Sequence, residues 1–261
     1  MIEVKGLTFA YQEEPVLEDI SFCVEKGQFV TLLGANGAGK STLFKCLLGL
    51  LPKYRGKILI EGTDAHELSR KELARLIGYV PQAEAQIYNY TVMDTVMMGM
   101  AHRIGTFASP SKEQLDEGEE ILGLLGIREL KNRGINEISG GERQLALLAR
   151  ALAQKAKILI MDEPTANLDY GNQHQVMRLI QRLTEEGYTI LLSTHTPEHA
   201  VTYASHILAI KDHRILAAGE NEKVLTGDLI AELYGIRVSL IDDPAGLGCG
   251  RVCVPLREPV R

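Results

Sequence analysis

Short apolar runs rich in β-branched residues alternate with stretches of helical periodicity along most of this chain. The predicted strands are Phe29–Leu33, Lys57–Ile60, Ile77–Val80, Ile158–Met161, Thr189–Ser193, Ile207–Ile210 and Ile215–Ala217. Segments with helical spacing lie between many of them, for example Lys40–Leu51 and Gly171–Glu186. Such alternation predicts an α/β fold in which helices cover a mostly parallel sheet. The run Ile158–Met161 is apolar throughout, which is typical of a strand buried on both faces.

The two ends and the middle of the chain follow other patterns. Glu3–Ala10 and Val16–Val24 are two predicted strands with no helix between them, which indicates an N-terminal antiparallel β piece. The middle is rich in predicted helices, namely Thr91–Met100, Lys112–Leu125 and Glu142–Gln154, with a loop over Gly105–Ser111. The tail after Gly235 contains many Gly and Pro residues, so we expect it to be irregular or to form short extended pieces.

Composition excludes several classes of protein. The 261 residues carry a net charge of −6, so bulk nucleic-acid binding is not expected. No apolar run approaches the roughly 20 residues of a spanning helix, and the N-terminus has no signal-peptide pattern. We therefore expect any membrane role to depend on a partner. The four cysteines form no Cys-x-x-Cys pair and are expected to be reduced thiols; a redox or metal role for Cys249 and Cys253 is the less favoured alternative.

A glycine-rich segment between a predicted strand and a predicted helix gives the strongest chemical signal. It reads Gly34, Ala35, Asn36, Gly37, Ala38, Gly39, Lys40, Ser41, Thr42 and fits the phosphate-loop pattern G-x-x-x-x-G-K-[ST]. Glycines allow successive backbone N–H groups to converge on an anion, and the following helix adds its dipole. Lys40 supplies a positive charge for phosphates, and Ser41 supplies a hydroxyl for Mg²⁺. The alternative is a plain glycine-rich turn.

Two acids follow the predicted buried strand. Asp162 and Glu163 come directly after Ile158–Met161, and ligands of parallel α/β sheets collect at the carboxyl ends of strands. Asp162 is therefore a candidate Mg²⁺ ligand, and Glu163 is a candidate for polarising an attacking water. The alternative is a solvated acid pair.

A second anion-binding pattern precedes another helix. Ser139, Gly140, Gly141 and Glu142 combine a capping serine with two glycines at a predicted helix start. This is either an ordinary helix cap or a second amide-rich anion site. Because one nucleotide does not need two helix N-termini of one chain, the second site would serve a nucleotide held by a neighbour.

Together these segments resemble the ABC ATPase family, the nucleotide-binding subunits of ABC transporters. Gly34–Thr42 resembles the Walker A loop and Ile158–Asp162 the Walker B strand, while Ile138–Glu142 resembles the LSGGQ signature with Ile for Leu and Glu for Gln. The remaining matches are Gln82 to the Q-loop glutamine, Ala166–Asp169 to the D-loop, His195 to the switch histidine and Tyr11 to the aromatic that stacks on adenine. Motif order and spacing agree over nearly the whole chain.

The resemblance implies a fold and a mechanism. The fold would be a P-loop NTPase (RecA-like) core over residues 1–83 and 151–235, with an N-terminal antiparallel β subdomain. A helical subdomain over 84–150 would carry the signature, and 236–261 would be a tail. Two copies would form a head-to-tail homodimer in which each ATP lies between one chain's phosphate loop and the other chain's Ser139, Gly140, Gly141 and Glu142, with Asp169 nearby.

The resemblance also implies roles for single residues. Ser41, Gln82 and Asp162 would hold Mg²⁺, Glu163 would activate water, and His195 would order the γ-phosphate. The partners would be two polytopic membrane permeases and, indirectly, a substrate-binding protein. The chain would lie peripherally on the cytoplasmic face of the membrane.

Within the family, the best match is to subunits of iron–siderophore, haem and vitamin B12 importers. The resemblance lies in Val92–Met100, His102–Gly105, Pro110–Glu113, the signature helix and Leu233–Ile236, although Met100 stands where that subgroup often has Arg. The alternatives are a soluble ABC ATPase of iron–sulfur cluster assembly and a subunit of an ABC exporter. A small-molecule kinase is disfavoured by the Ser139 motif.

A methionine stripe lies in the helical region. Met93, Met97 and Met100 have spacings of i, i+4 and i+7, and Met98 is adjacent. They belong either to the core or to a soft groove for a helix of the membrane subunit.

Overall fold

The computed structural model describes residues 1–82, 88–104, 109–166, 168–242, 246 and 250–256. In chain order the elements are β1 (Ile2–Tyr11), β2 (Glu14–Val24), β3 (Phe29–Leu33), α1 (Lys40–Leu47), β4 (Arg55–Ile60), β5 (Thr63–Asp64), α2 (Arg70–Leu76), β6 (Ile77–Val80), α3 (Val92–Gly99), α4 (Lys112–Leu124), a 3₁₀ turn (Arg128–Leu130), α5 (Gly140–Ala153), β7 (Ile158–Asp162), α6 (Tyr170–Glu185), β8 (Thr189–Thr194), α7 (Pro197–Tyr203), β9 (His206–Lys211), β10 (Arg214–Glu220), α8 (Asn221–Val224), α9 (Gly227–Tyr234), β11 (Val238–Asp242) and β12 (Arg251–Pro255).

The chain divides into two compact units. The first contains residues 1–67 and 181–261, and the second contains residues 68–180. The second unit extends beyond the predicted helical subdomain of residues 84–150 at both ends, and that finer subdivision stays a prediction.

The first unit contains two sheets that lie beside each other. The antiparallel sheet has the order β2-β1-β4-β5, as the N-terminal pattern predicts. In the other sheet β3 pairs in parallel with β8 on one side and with β9 on the other, and β10 pairs antiparallel with β9. All five residues of β3 and all six of β8 are buried, as expected for strands covered on both faces.

The tip of the β9–β10 hairpin joins these two sheets. Asp212 and His213 adopt φ of 45° and 68°, the left-handed conformations of a two-residue hairpin turn. The backbone N–H of Glu18 in β2 donates to His213 O at 2.8 Å, and Arg214 Nη2 donates to Glu18 Oε2 at 2.8 Å. These bonds fix the first half of β2 against the hairpin.

The C-terminal tail forms an antiparallel hairpin of β11 and β12 after Gly235 ends α9 in the left-handed conformation. This agrees with the prediction of short extended pieces. Leu240 and Cys253 pair in register, and both pack on a core formed by α7, α9 and β9. Burial raises the pKa of the Cys253 thiol, which favours a packing role. Cys249 lies outside the described residues, so the alternative of a paired role with Cys253 stays untested.

In the second unit β6 and β7 pair in parallel, and α3, α4 and α5 form a helical layer. Four helices begin with a capping box in which a Ser or Thr side chain accepts the N–H of the third helical residue, whose side chain accepts the cap N–H in return. These are α2 (Ser69/Glu72), α3 (Thr91/Asp94), α4 (Ser111/Gln114) and α5 (Ser139/Glu142). Such caps fix the residue at which each helix starts.

The methionine stripe is part of the helical core. Met97 and Met100 are buried, and only Met98 of the four is exposed, at 44%. A Cβ on Gly118 of α4 would lie 2.6 Å from Met97 Cε and 3.1 Å from Met93 Sδ, so this glycine lets the two helices approach closely. The structure thus favours the core interpretation over the groove.

Among the described residues, no helix combines the length and the apolar character that crossing a bilayer requires.

Candidate nucleotide-binding site

The segment 34–42 connects the buried strand β3 to helix α1 in the first unit. Gly37 and Gly39 adopt φ of 83° and 101°, which other residues rarely adopt. Gly39 is the residue before the first helical turn, and that turn contains no acidic side chain. The leading N–H groups of a helix have no intrahelical acceptor, so the start of α1 is suited to an anion.

Two glycines of this loop are required by close backbone contacts. A Cβ on Gly34 would lie 2.6 Å from Ile210 O in β9, and a Cβ on Gly39 would lie 2.7 Å from Val16 O in β2. Neither approach is possible for a residue with a side chain unless the backbone moves. The loop therefore packs against β9 at its start and against β2 at its end.

Val16 is itself held in place. His213 Nδ1 lies 3.1 Å from Val16 O. A carbonyl oxygen only accepts, so the hydrogen must lie on Nδ1. The Val16 carbonyl that Gly39 contacts is thus held by a side chain from the β9–β10 hairpin. Sequence reasoning missed this contact because 197 residues separate the two partners.

Lys40 turns back over the loop. Its side chain is buried, with 5% of the residue exposed, and Nζ donates to Gly34 O at 2.8 Å and Ala35 O at 3.1 Å. Ala35, Asn36, Gly37 and Ser41 are exposed around it, while Ala38 and Thr42 are half-buried. A buried ammonium group, an exposed hydroxyl and a glycine-rich loop at a helix start together fit a polyphosphate.

Tyr11 and His195 belong to the same unit. Tyr11 ends β1, is 46% exposed and stands edge-on to Phe9 with ring centroids 4.9 Å apart, so one aromatic face is anchored by packing. His195 follows β8, and the β3–β8 register pairs Thr194 with Leu33, the residue before the loop. This register brings the exposed His195 to the same sheet edge as Gly34.

In the second unit, three predicted site residues follow two paired strands. Asp162 ends β7 with 8% of its surface exposed, and Glu163 follows with a φ of 45°. Val80 of β6 pairs with Met161 of β7, so Gln82 and Glu163 leave the same end of the strand pair. A positive φ in a glutamate is unusual and costs energy, so the surrounding structure must hold the backbone at this position.

The signature segment caps α5. Ser139 Oγ accepts from the Glu142 N–H at 3.3 Å, and Glu142 Oε2 accepts from the Ser139 N–H at 2.8 Å. The hydrogen bonds that the Glu142 carboxyl accepts from the backbone N–H and the side chain of Ser139 hold its pKa below its usual range. Glu142 replaces the family's Gln, and its negatively charged carboxylate accepts the N–H of the cap residue Ser139. Ser139 and Gly140 are both exposed at this turn.

Asp169 caps the next helix. Its Oδ1 accepts from the Asn172 N–H at 2.8 Å, and its Oδ2 accepts from Asn172 Nδ2 at 2.9 Å. Asn167, between Ala166 and Asp169 in the predicted D-loop, lies outside the described residues. Sequence reasoning missed Asn172, although the spacing Asp-x-x-Asn at a helix start is a readable capping signal.

The structure thus assembles two groups of predicted residues. In the first unit, segment 34–42 and His195 share one sheet edge, and Tyr11 lies at the end of β1. In the second unit, Asp162, Glu163 and Gln82 follow one strand pair, while Ser139–Glu142 and Asp169 cap neighbouring helices.

Comparison with known proteins shows the family to which the chain belongs. The family model described as ABC transporter matches residues 17–166, more than half of the chain. The chain therefore belongs to the ABC transporter family and is one of its ATPase subunits, which confirms the resemblance and the expected fold class.

Several relatives match over most of their length. The chain is 36% identical to a Helicobacter pylori protein named probable iron chelatin transport ATP-binding protein, over 90% of this chain and 92% of that protein. It is 34% identical to the Escherichia coli ferric enterobactin transport ATP-binding protein, over 91% and 88%. It is 37% identical to a Bacillus subtilis manganese transport system ATP-binding protein, over 93% and 95%.

Solved structures give the same result. A metal-chelate type ABC transporter in an inward-facing conformation contains a chain that is 32% identical, with a TM-score of 0.86 and 98% coverage of both chains. A bacterial ABC transporter cassette solved as a dimer is 28% identical, with a TM-score of 0.74, covering 85% of this chain and 99% of that one.

Proposed function

We propose that this chain is the ATP-hydrolysing subunit that energises import of a metal chelate, of the class that includes iron–siderophore complexes, haem and cobalamin. The observation that carries this proposal is the likeness to a metal-chelate type transporter over 98% of both chains, against 85% of this chain for the dimeric cassette. Relatives named for iron chelatin and ferric enterobactin transport support it.

The phosphate-binding role falls to the loop of the first unit. We assign Gly34, Ala35, Asn36, Gly37, Ala38, Gly39, Lys40, Ser41 and Thr42 to binding the ATP phosphates, and Tyr11 to stacking on the adenine. The exposed ring of Tyr11 and the position of Lys40 Nζ over the loop, where it donates to Gly34 O and Ala35 O, support these roles. Ser41, Gln82 and Asp162 carry the oxygen ligands that Mg²⁺ prefers.

Hydrolysis requires a base and an ordered water. When bound, Mg²⁺ neutralises charge on the phosphates. Glu163 is the group that accepts the proton of the attacking water, since it follows Asp162 directly at the carboxyl end of β7. His195 hydrogen-bonds the γ-phosphate, and Gln82 senses occupancy of the site.

A second copy completes the site. Ser139, Gly140, Gly141, Glu142 and Asp169 meet the nucleotide of the partner in a head-to-tail homodimer. Beyond the N–H of Glu142 that Ser139 caps, the first turn of α5 has backbone N–H groups with no intrahelical acceptor, and these groups together with the helix dipole favour an anion at this end. The dimer works against two polytopic permeases on the cytoplasmic face of the membrane and receives cargo indirectly from a substrate-binding protein.

A second candidate cargo is a bare divalent metal ion. The observation that favours it is the manganese transport relative, which matches 93% of this chain at 37% identity.

Uptake by whole cells distinguishes the two cargoes. Cells carrying Lys40→Ala at the native locus should lose uptake of radiolabelled iron–siderophore, haem or cobalamin while ⁵⁴Mn uptake is retained, and the wild-type chain should co-purify with polytopic subunits from detergent-solubilised membranes. Loss of ⁵⁴Mn uptake alone would assign the bare-ion function instead. Unchanged uptake of every label would overturn the import proposal.

A further inference from the structure

Helix α6 begins with a cap that differs from the caps of its neighbours. In α2, α3, α4 and α5 the third helical residue accepts a hydrogen bond from the cap residue's backbone. In α6 the third residue, Asn172, instead donates twice to the cap residue, through its backbone N–H to Asp169 Oδ1 and through Nδ2 to Asp169 Oδ2. Both oxygens of the Asp169 carboxylate are thus oriented by one residue.

The same amide contacts the signature helix. A Cβ on Gly141 would lie 3.0 Å from Asn172 Nδ2 and 3.2 Å from its Cγ. Gly141 is buried and Asn172 is half-buried, so the amide is packed against the start of α5. A side chain at position 141 would have to displace the atom that donates to Asp169.

We infer that Asn172 is a positioning residue that ties the Asp169 turn to Gly141, so that the D-loop and the signature segment move as one body. This rests on the proposed function, in which both segments meet the partner's nucleotide. Because Asn172 belongs to neither the phosphate loop nor the β7 acids, it acts on closure of the dimer and leaves nucleotide affinity of a single copy unchanged.

The test is self-association of the Glu163→Gln chain with ATP, compared with and without Asn172→Asp. The aspartate keeps the shape of the side chain, removes the Nδ2 donor and places a like charge beside Asp169. We expect the dissociation constant of the ATP-dependent dimer to rise by about tenfold, within the range of couplings between contacting residues. Affinity for a fluorescent ATP analogue should not change. Gln175→Ala, an exposed change on the same helix, is the matched control.

A double-mutant cycle tests the contact with Gly141. When Asn172 is present, Gly141→Ala should raise the dissociation constant of the dimer by several-fold more than it does in the Asn172→Ala chain. In the Asn172→Ala chain the amide is absent, so the new methyl group at position 141 meets no close contact. The inference would be overturned if the two substitutions changed the dissociation constant of the dimer independently, so that their effects multiplied. It would also be overturned if Asn172→Asp lowered the unfolding temperature and left the dissociation constant of the dimer unchanged. Failure of the Glu163→Gln chain itself to dimerise with ATP would contradict the proposed function instead, so the two failures are distinguishable.

Discussion

At the scale of single residues, two glycines of the phosphate loop are required for different reasons. Gly37 has φ of 83°, but a Cβ there would meet no atom within 4 Å. Gly39 has φ of 101°, and a Cβ there would also lie 2.7 Å from Val16 O and 3.0 Å from Leu17 Cδ2. The first position requires only an unusual backbone conformation, whereas the second also requires room against a carbonyl that His213 holds in place.

Alanine substitutions should separate these two requirements. Gly37→Ala should lower the free energy of unfolding by about 1–2 kcal/mol, the cost of a left-handed conformation. Gly39→Ala should lower it by clearly more, because the Val16 carbonyl must also move. Urea unfolding measures both effects. Gly27→Ala, at φ of 75° with no atom within 4 Å of its Cβ, is the control outside the loop. Equal losses at positions 37 and 39 would show that the contact with Val16 is not tight.

The sequence identified the local part of this site and missed the long-range part. The spacing within Gly34–Ser41 was enough to predict a phosphate loop, because its signals lie within a few residues and the predicted strand Phe29–Leu33 and the predicted helix from Lys40 flank it. The bond from His213 to Val16 carries no such signal, since it depends on how a distant hairpin reaches β2. Asn172 is intermediate: its capping role is local, but its contact with Gly141 depends on helix packing.

At the scale of elements, one carboxylate in the middle of α4 joins this helix to the segments that follow α3 and α5 in the second unit. Glu117 of α4 accepts from Arg103 Nη1 at 2.9 Å and Nη2 at 2.7 Å, just after α3, and lies 3.0 Å from Lys155 Nζ, just after α5. The hydrogen bonds from Arg103 are the main cause that lowers the pKa of Glu117 to about 2. Because the pKa is lower in the folded chain than the ordinary value of 4.5, deprotonation favours folding.

The contribution of Glu117 to the free energy of unfolding should depend on pH in a defined direction. It is fully present above pH 4.5 and is lost as the pH falls toward 2. Glu117→Gln should lower the free energy of unfolding by about 1–2 kcal/mol at pH 7 and should flatten its decline over that acidic window. Urea unfolding at several pH values measures this. Glu120→Gln, an exposed change on the same helix, should keep the wild-type profile; a Glu117→Gln profile parallel to wild type would contradict the assignment.

Element boundaries show where periodicity stops being informative. The apolar pattern predicted a helix from Lys40 to Leu51, but α1 ends at Leu47 because Gly49 turns to φ of 67° and the Leu50 N–H returns to Lys45 O. Periodicity also found the methionine stripe without revealing its neighbour, since only the packing of Gly118 shows that α4 covers it. The register of the C-terminal hairpin, with Leu240 opposite Cys253, likewise depends on the core beneath it.

At the scale of the whole molecule, the decisive property is whether ATP brings two copies together. The capped, exposed start of α5 is the proposed second anion site and has no lysine of its own, whereas the loop before α1 contains the buried Lys40. A chain with both features on separate elements can complete two sites by pairing with itself. Closure should therefore require ATP, and opening should require its hydrolysis.

Blocking hydrolysis should capture the closed dimer. Glu163→Gln preserves the size of the side chain at a backbone with φ of 45° and removes the proposed base, so turnover should fall by about 10²- to 10⁴-fold while ATP binding persists. Light scattering should then show a dimer with ATP and a monomer with ADP. Adding Ser139→Arg to the same chain places a bulky cation at the signature cap and should abolish the dimer without loss of ATP binding. A Glu163→Gln chain that binds ATP and stays monomeric would show that the phosphate loop works without a partner's signature segment. The capping serine of α5 would then serve the helix alone.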